Sequence, residues 1–192
     1  MFRIRKGLGI LWGRVREQGL RVTALWLMDH ALRLLTDMSP SRTSRIGPHN
    51  YLVGQHYRHG LGRMARLGIS ASVSLRETAD DASHDVALAR HLWLPTADDT
   101  PPTAEDLGQA SAFIGEALAE GRGVYVHCFS GVGRAATTVA AYLVSTGLTP
   151  EQAWATIRRI RPFVRPNSIQ MAQVEEFHRH SSLHAEGVEK RS

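Results

Sequence analysis

The sequence has a single cysteine, Cys128, in 192 residues, which excludes an internal disulfide framework and any multi-cysteine metal centre. One thiol fits a reducing compartment, so a cytoplasmic location is expected. None of the ten histidines falls in an HExxH or paired Cys/His spacing, and no metal or other cofactor is expected. Long apolar runs are missing as well. Charges at Arg14, Arg16, Glu17, Arg21, Asp29 and Arg33 interrupt the N-terminal segment too often for a membrane span of ~20 apolar residues. No uninterrupted apolar core followed by a small-residue cleavage site marks a secretory signal. Basic residues interleaved with aromatics do not recur beyond the N-terminal segment, which argues against a nucleic-acid partner despite a net charge of +5.

What is present is ordinary for one globular domain with an appendage, at 43% apolar and 21% charged residues. The charge is uneven. Residues 1–45 carry nine Lys/Arg against three Asp/Glu, and residues 46–192 carry fourteen against fifteen. Leu8, Leu11, Trp12, Val15, Val22, Trp26 and Leu32 recur at helical spacing, so residues 1–36 read as a basic amphipathic helix or helix pair. Two readings stay open for it: peripheral contact with an anionic membrane surface, or packing against the domain or a partner. Residues 38–45, rich in small polar side chains, read as a linker. The chain thus divides into a basic helical segment with linker (1–45), a domain (46–182) and a flexible tail (183–192).

Within the domain, strands are expected at Tyr51–Val53, Ile69–Leu75, His91–Leu94 and Gly123–His127. Helices are expected at His59–Leu67, from a Thr103 cap to Glu120, after Arg134, at about Glu151–Ile160, and from Ser168 to about His180. Residues 76–85 read as a polar loop. Strands interspersed with helices give an α/β domain with a central, mostly parallel sheet flanked by helices.

The stretch that organises this domain is Val124-Tyr125-Val126-His127-Cys128-Phe129-Ser130-Gly131-Val132-Gly133-Arg134, a strand running into a glycine-rich loop and then a helix. Such a loop points unpaired backbone N–H groups at one spot with the positive end of a helix dipole behind them, a site that favours an anion. Those dipoles and Arg134 favour the thiolate of Cys128. Arg134 supplies planar bidentate donors for two phosphate oxygens. Phe129, Ser130, Gly131, Val132 and Gly133 complete the candidate substrate-binding loop, and His127 is expected to support it.

His127-Cys128-x-x-Gly131-x-x-Arg134 resembles the HCxxGxxR signature of cysteine-dependent protein tyrosine phosphatases, and the short chain resembles their dual-specificity branch over about residues 46–180. Ala136–Leu143, Thr149-Pro150-Glu151 and Glu175-Glu176-Phe177-His178, with the loop Thr96-Ala97-Asp98-Asp99-Thr100, look similar to the phosphatidylglycerophosphate phosphatase group. The resemblance implies metal-free hydrolysis of a phosphate monoester. Cys128 would be the nucleophile, Arg134 the clamp and Asp98 the acid, with Asp99 as the alternative acid. The substrate would be phosphotyrosine and phosphoserine or phosphothreonine of proteins, or alternatively an anionic phospholipid. A binding module with little turnover is a third reading. Asn167 and Gln173 match the family's last loop and helix and are expected to be structural. Arg158, Arg159, Arg161 and Arg165 read as a basic rim or as exposed helix-face charges. Ala135 departs from the Ser or Thr that usually follows the signature arginine and helps the thiolate leave, so slow release of the phosphocysteine is expected. Phe129, where phosphoinositide-selective relatives often carry lysine, argues against highly charged inositol headgroups.

Overall fold

The structure, a computed structural model, describes residues 2–189, with side chains over residues 9–181. Four parallel strands form one sheet in the order β1-β4-β2-β3: β1 (Asn50–Val53), β2 (Ile69–Ser74), β3 (Arg90–Trp93) and β4 (Gly123–His127). Six helices accompany them: α1 (Phe2–Thr36), α2 (Leu61–Arg66), α3 (Ala104–Ala119), α4 (Arg134–Ser145), α5 (Pro150–Ile160) and α6 (Ser168–Glu189). Strand β4 is central and every one of its residues is buried, as a strand covered on both faces must be. Its carboxyl end opens directly into the loop that begins at Cys128, where open α/β sheets bind ligands.

Side-chain alternation along the strands divides the core in two. Leu52, Val73, Val124 and Val126 face a cluster with Ile114, Val139, Trp154 and Ile157, so α3 to α5 cover one side. Tyr51, Val53, Ile69 and Tyr125 face the other side, against Met64 of α2 and Met38. Helices α3 and α5 start where the sequence places them, because Thr103 and Thr149 each form a capping box, with Asp106 and Gln152. Helix α6 continues to Glu189. The expected tail therefore begins inside a helix, and residues 190–192 lie outside the described residues.

Residues 38–45 depart from the linker reading. Met38, Ser39, Thr43 and Ser44 are buried, and Ser41–Thr43 form a 3-10 turn. Small polar side chains are here because they fill a tight turn whose hydroxyls bond inward. Thr43 Oγ1 and Ser39 Oγ donate to the Asp29 carboxylate at 2.9 and 3.2 Å. The helix before them packs on the domain with a polar face inward: Arg14, Thr23, Asp29 and Arg33 are all buried. Of the two readings of residues 1–36, docking on the domain describes this inner face. Helix α1 is broken at Gly19, whose φ of 80° and ψ of 166° suit glycine alone, so it is the helix pair of the sequence reading.

Candidate active site

The loop after β4 is turned so that its carbonyls face outward, each held by a donor. Phe129 O accepts from Gln55 N and from Arg33 Nη1, both at 3.1 Å. Arg161 donates to Gly131 O at 2.9 Å and to Ser130 O at 3.3 Å. Arg165 N donates to Val132 O at 2.8 Å. Across a trans peptide the N–H points opposite to the carbonyl, so the amides of Ser130, Gly131, Val132 and Gly133 are aimed inward. Gly131 N–H meets the Cys128 Sγ at 3.3 Å. Gly131 must be glycine: its φ is 68°, and a Cβ there would lie 2.1 Å from Val53 O.

Arg134, at the first position of α4, is 5% exposed. Its Nη1 donates to Thr96 O at 2.7 Å and to Leu75 O at 3.2 Å, which aims the guanidinium at the floor of a pocket of about 170 Å³. That pocket is lined by Arg76, Glu77, Thr78, Asp98, Phe129 and Arg134. Asp98 Oδ1 sits 2.8 Å from Arg134 Nη2. The structure thus brings Asp98, not Asp99, to the clamp. Asp99 takes a left-handed backbone (φ 59°), and its carbonyl accepts from Asn167 Nδ2 at 2.6 Å. Gln170 Nε2 also donates to Thr100 O at 3.0 Å, so Asn167 and Gln170 hold the loop of Asp98 in place. Gln173, singled out in the sequence, does not have this part.

His127 is fully buried, and its Nε2 lies 2.7 Å from Asp81 Oδ2, a carboxylate in the segment read as a polar loop. His56 packs edge-on to the His127 ring with centroids 5.1 Å apart and bonds Val86 O through Nε2 at 2.7 Å. Burial, with the nearby His127 adding to it, lowers the His56 pKa to about 4. Burial pushes Asp81 upward, but the hydrogen bond and charge of His127 outweigh it and its pKa falls below the ordinary value. Ligand atoms of His56, Asp81 and His127 lie within 4.8 Å of one another. The bond that His127 and Asp81 share holds the ring of the residue before Cys128 in place.

Arg161, expected on a rim or an exposed face, is instead completely buried. It pairs with Asp29 of α1 at 3.1 Å while its other donors hold the loop carbonyls. Burial lowers its pKa and Asp29 opposes that shift. Arg33 of α1 completes the same frame, donating to Gln55 O at 3.0 Å as well as to Phe129 O. Asp81, Gln170, Asp29 and Arg33 are the residues that sequence reasoning missed. The one available signal was Asp29 and Arg33, charged residues four apart in an otherwise apolar run. A more apolar cavity, lined by Ile46, Pro48, Leu118, Tyr142 and Leu143, lies at the amino end of β1, away from this chemistry.

Residues 51–180 match the family model described as dual specificity phosphatase, catalytic domain. The chain belongs to the dual specificity phosphatases. It is 34% identical to dual specificity protein phosphatase 12 of Mus musculus over 67% of this chain and 39% of that protein. It is 32% identical to the phosphatidylglycerophosphate phosphatase PTPMT2 of Arabidopsis thaliana, over 64% of this chain and 57% of that one. The chain therefore spans less than two thirds of either relative's length. Among solved structures, PTPMT1 in complex with PI(5)P superposes with a TM-score of 0.68 at 26% identity, covering 73% of this chain and 96% of the other. Human DUSP28, at 21% identity and a TM-score of 0.65, shares the fold. The dual-specificity phosphatase match begins at residue 51, so α1, with Asp29 and Arg33, lies outside the matched region.

Proposed function

We propose that this dual-specificity phosphatase hydrolyses phosphate monoesters of phosphorylated proteins through a phosphocysteine intermediate. The observation that carries the proposal is the ring of inward amides from Ser130 to Gly133 around Cys128 Sγ, closed by Arg134. In the first step Sγ attacks phosphorus, the bond from phosphorus to the ester oxygen breaks, and Asp98 gives its proton to the departing alkoxide or phenoxide. The amides and Arg134 hold the equatorial oxygens where charge is spread. In the second step Asp98 takes a proton from water, the water oxygen attacks phosphorus, the sulfur–phosphorus bond breaks, and inorganic phosphate leaves with the thiolate restored. Hydrolysis of an aryl phosphate that is abolished in Cys128→Ser and in Arg134→Lys supports this assignment. Turnover that survives both substitutions rejects it, and a wild-type chain without turnover leaves the site as a phosphate-binding module.

A second reading keeps the mechanism and replaces the phosphoprotein with an anionic phospholipid. It is favoured by relatives named as phosphatidylglycerophosphate phosphatases and by the solved PTPMT1 complex with PI(5)P. Phe129, half exposed at the pocket mouth, favours a headgroup with fewer charges than a polyphosphorylated inositol. Parallel assays on phosphopeptides and on vesicles containing phosphatidylglycerophosphate separate the two. A phosphopeptide rate at least tenfold above the vesicle rate supports the first reading, and the reverse order supports the second.

A further inference from the structure

Helix α1 carries apolar side chains on both sides: Val22, Leu25, Trp26 and Leu32 are half-buried, and a second set stands in solvent. Between Gly19 and Asp37 its buried positions are Thr23, Asp29 and Arg33, whereas Leu20, Ala24, Leu27, Met28, Ala31, Leu34 and Leu35 are all exposed. Leu20 is 76% and Leu35 81% exposed. Leu20, Ala24, Leu27, Ala31 and Leu34 are spaced by four, three, four and three residues, the spacing of a seam that packs against another helix. Large and small side chains alternate along it, which lets two helix backbones approach closely at the alanines.

We infer that this stripe pairs α1 of one copy with α1 of a second copy, forming a symmetric dimer with antiparallel helices crossing at Leu27 and Met28. A two-fold axis there sets Leu20 against Leu35, Ala24 against Ala31, Leu27 against Met28 and Leu34 against the aliphatic stem of Arg21, so apolar surface meets apolar surface along the stripe, as an isologous interface requires. The charge distribution favours a protein partner over a lipid surface. Arg14 and Arg33, two of the arginines that make the N-terminal segment basic, are buried, and between Gly19 and Asp37 the one exposed charged residue is Arg21. The seven side chains present several hundred Å² of apolar surface, beyond what isolated apolar side chains expose and on the scale of the ~800 Å² each partner buries in a standard interface.

The test is the mass of the full chain by light scattering across micromolar concentrations. The expected result is about twice the chain mass of 21.2 kDa, falling to the monomer in Leu27→Glu. Leu27 is exposed in the protomer and apart from the catalytic loop, so retained aryl phosphate hydrolysis verifies that the variant folds. A second measurement uses Met28→Cys with Cys128→Ser, in which a short bis-maleimide should join two copies at position 28. A monomeric wild-type chain overturns the inference. So does a dimer whose mass is unchanged by Leu27→Glu and which is not cross-linked at position 28. A monomer that sediments with phosphatidylglycerol vesicles, and loses that binding in Leu27→Glu, overturns it in favour of a membrane contact. None of these readings depends on which phosphate ester is hydrolysed.

Discussion

At the residue scale the loop chemistry is complete except at one position. Ala135 is buried at the start of α4 and has no hydroxyl to offer the departing thiolate. The nearby threonines do not replace it, since Thr137 Oγ1 donates to Gly133 O and Thr138 Oγ1 to Arg134 O. Rapid-quench kinetics should therefore show a burst of product, followed by a slower steady state. Ala135→Ser should raise the steady-state rate several-fold and shrink the burst, and an unchanged rate would remove release of the phosphocysteine as the slow step. Asp81 makes a different kind of contribution. Asp81→Ala leaves a buried His127 nitrogen without its partner, at a cost of about 1–3 kcal/mol. The expected outcome is a lower unfolding midpoint together with slower alkylation of Cys128 by iodoacetamide. The loop from His127 to Arg134 was legible in the sequence because strand, glycines and helix follow one another within it, whereas Asp98 rested on the family resemblance and the structure sets it against Arg134. Asp81 was not legible, because a carboxylate among Thr78, Asp80 and Asp85 looks solvated until the fold buries it against a histidine forty-six positions away.

At the element scale the catalytic loop rests on α1. The chain Asp29 to Arg161 to the carbonyls of Ser130 and Gly131 joins a helix outside the family match to the loop that holds the nucleophile. Asp29→Ala should cost roughly 3–5 kcal/mol, because it leaves Arg161 buried without its counter-ion. Adding Arg161→Met should recover part of that stability by removing the unpaired charge. It should not recover activity, since the loop carbonyls then lack their donor. Thermal unfolding and aryl phosphate turnover on the two variants check both halves. The start of α1 was legible as helical, and so was the break of the pair in outline. The depth of its polar residues was not legible: Leu11, Val15, Val22, Trp26 and Leu32, apolar positions at helical spacing, are half-buried, while Asp29 and Arg33 lie deeper. What decides that depth is the polar underside of the catalytic loop, whose outward carbonyls need arginine donors.

At the scale of the whole molecule, stability should fall in mild acid. The folded-state pKa of His56 is lowered from 6.5 to about 4, so the unfolded chain takes up a proton that the folded chain refuses. Its contribution is complete above about pH 6.5 and is lost as the pH falls toward 4, a change of up to about 3 kcal/mol. Urea unfolding at pH 7.5 and pH 5 should show the loss, and His56→Phe should flatten the dependence. The parallel sheet followed from the alternation of strands and helices, whereas its order β1-β4-β2-β3 came only with the structure. The packing of residues 38–45 did not follow from the sequence, since short polar residues make linkers and tight buried turns alike. The ion pair between Arg134 and Asp98 has a consequence for how the enzyme meets its substrate in solution. The clamp already holds an anion of the protein's own, so an incoming phosphate displaces a carboxylate rather than water. Dissolved salt then screens the occupant and the newcomer together, and the KM of the native enzyme should rise less steeply with ionic strength than that of Asp98→Asn, whose clamp stands open.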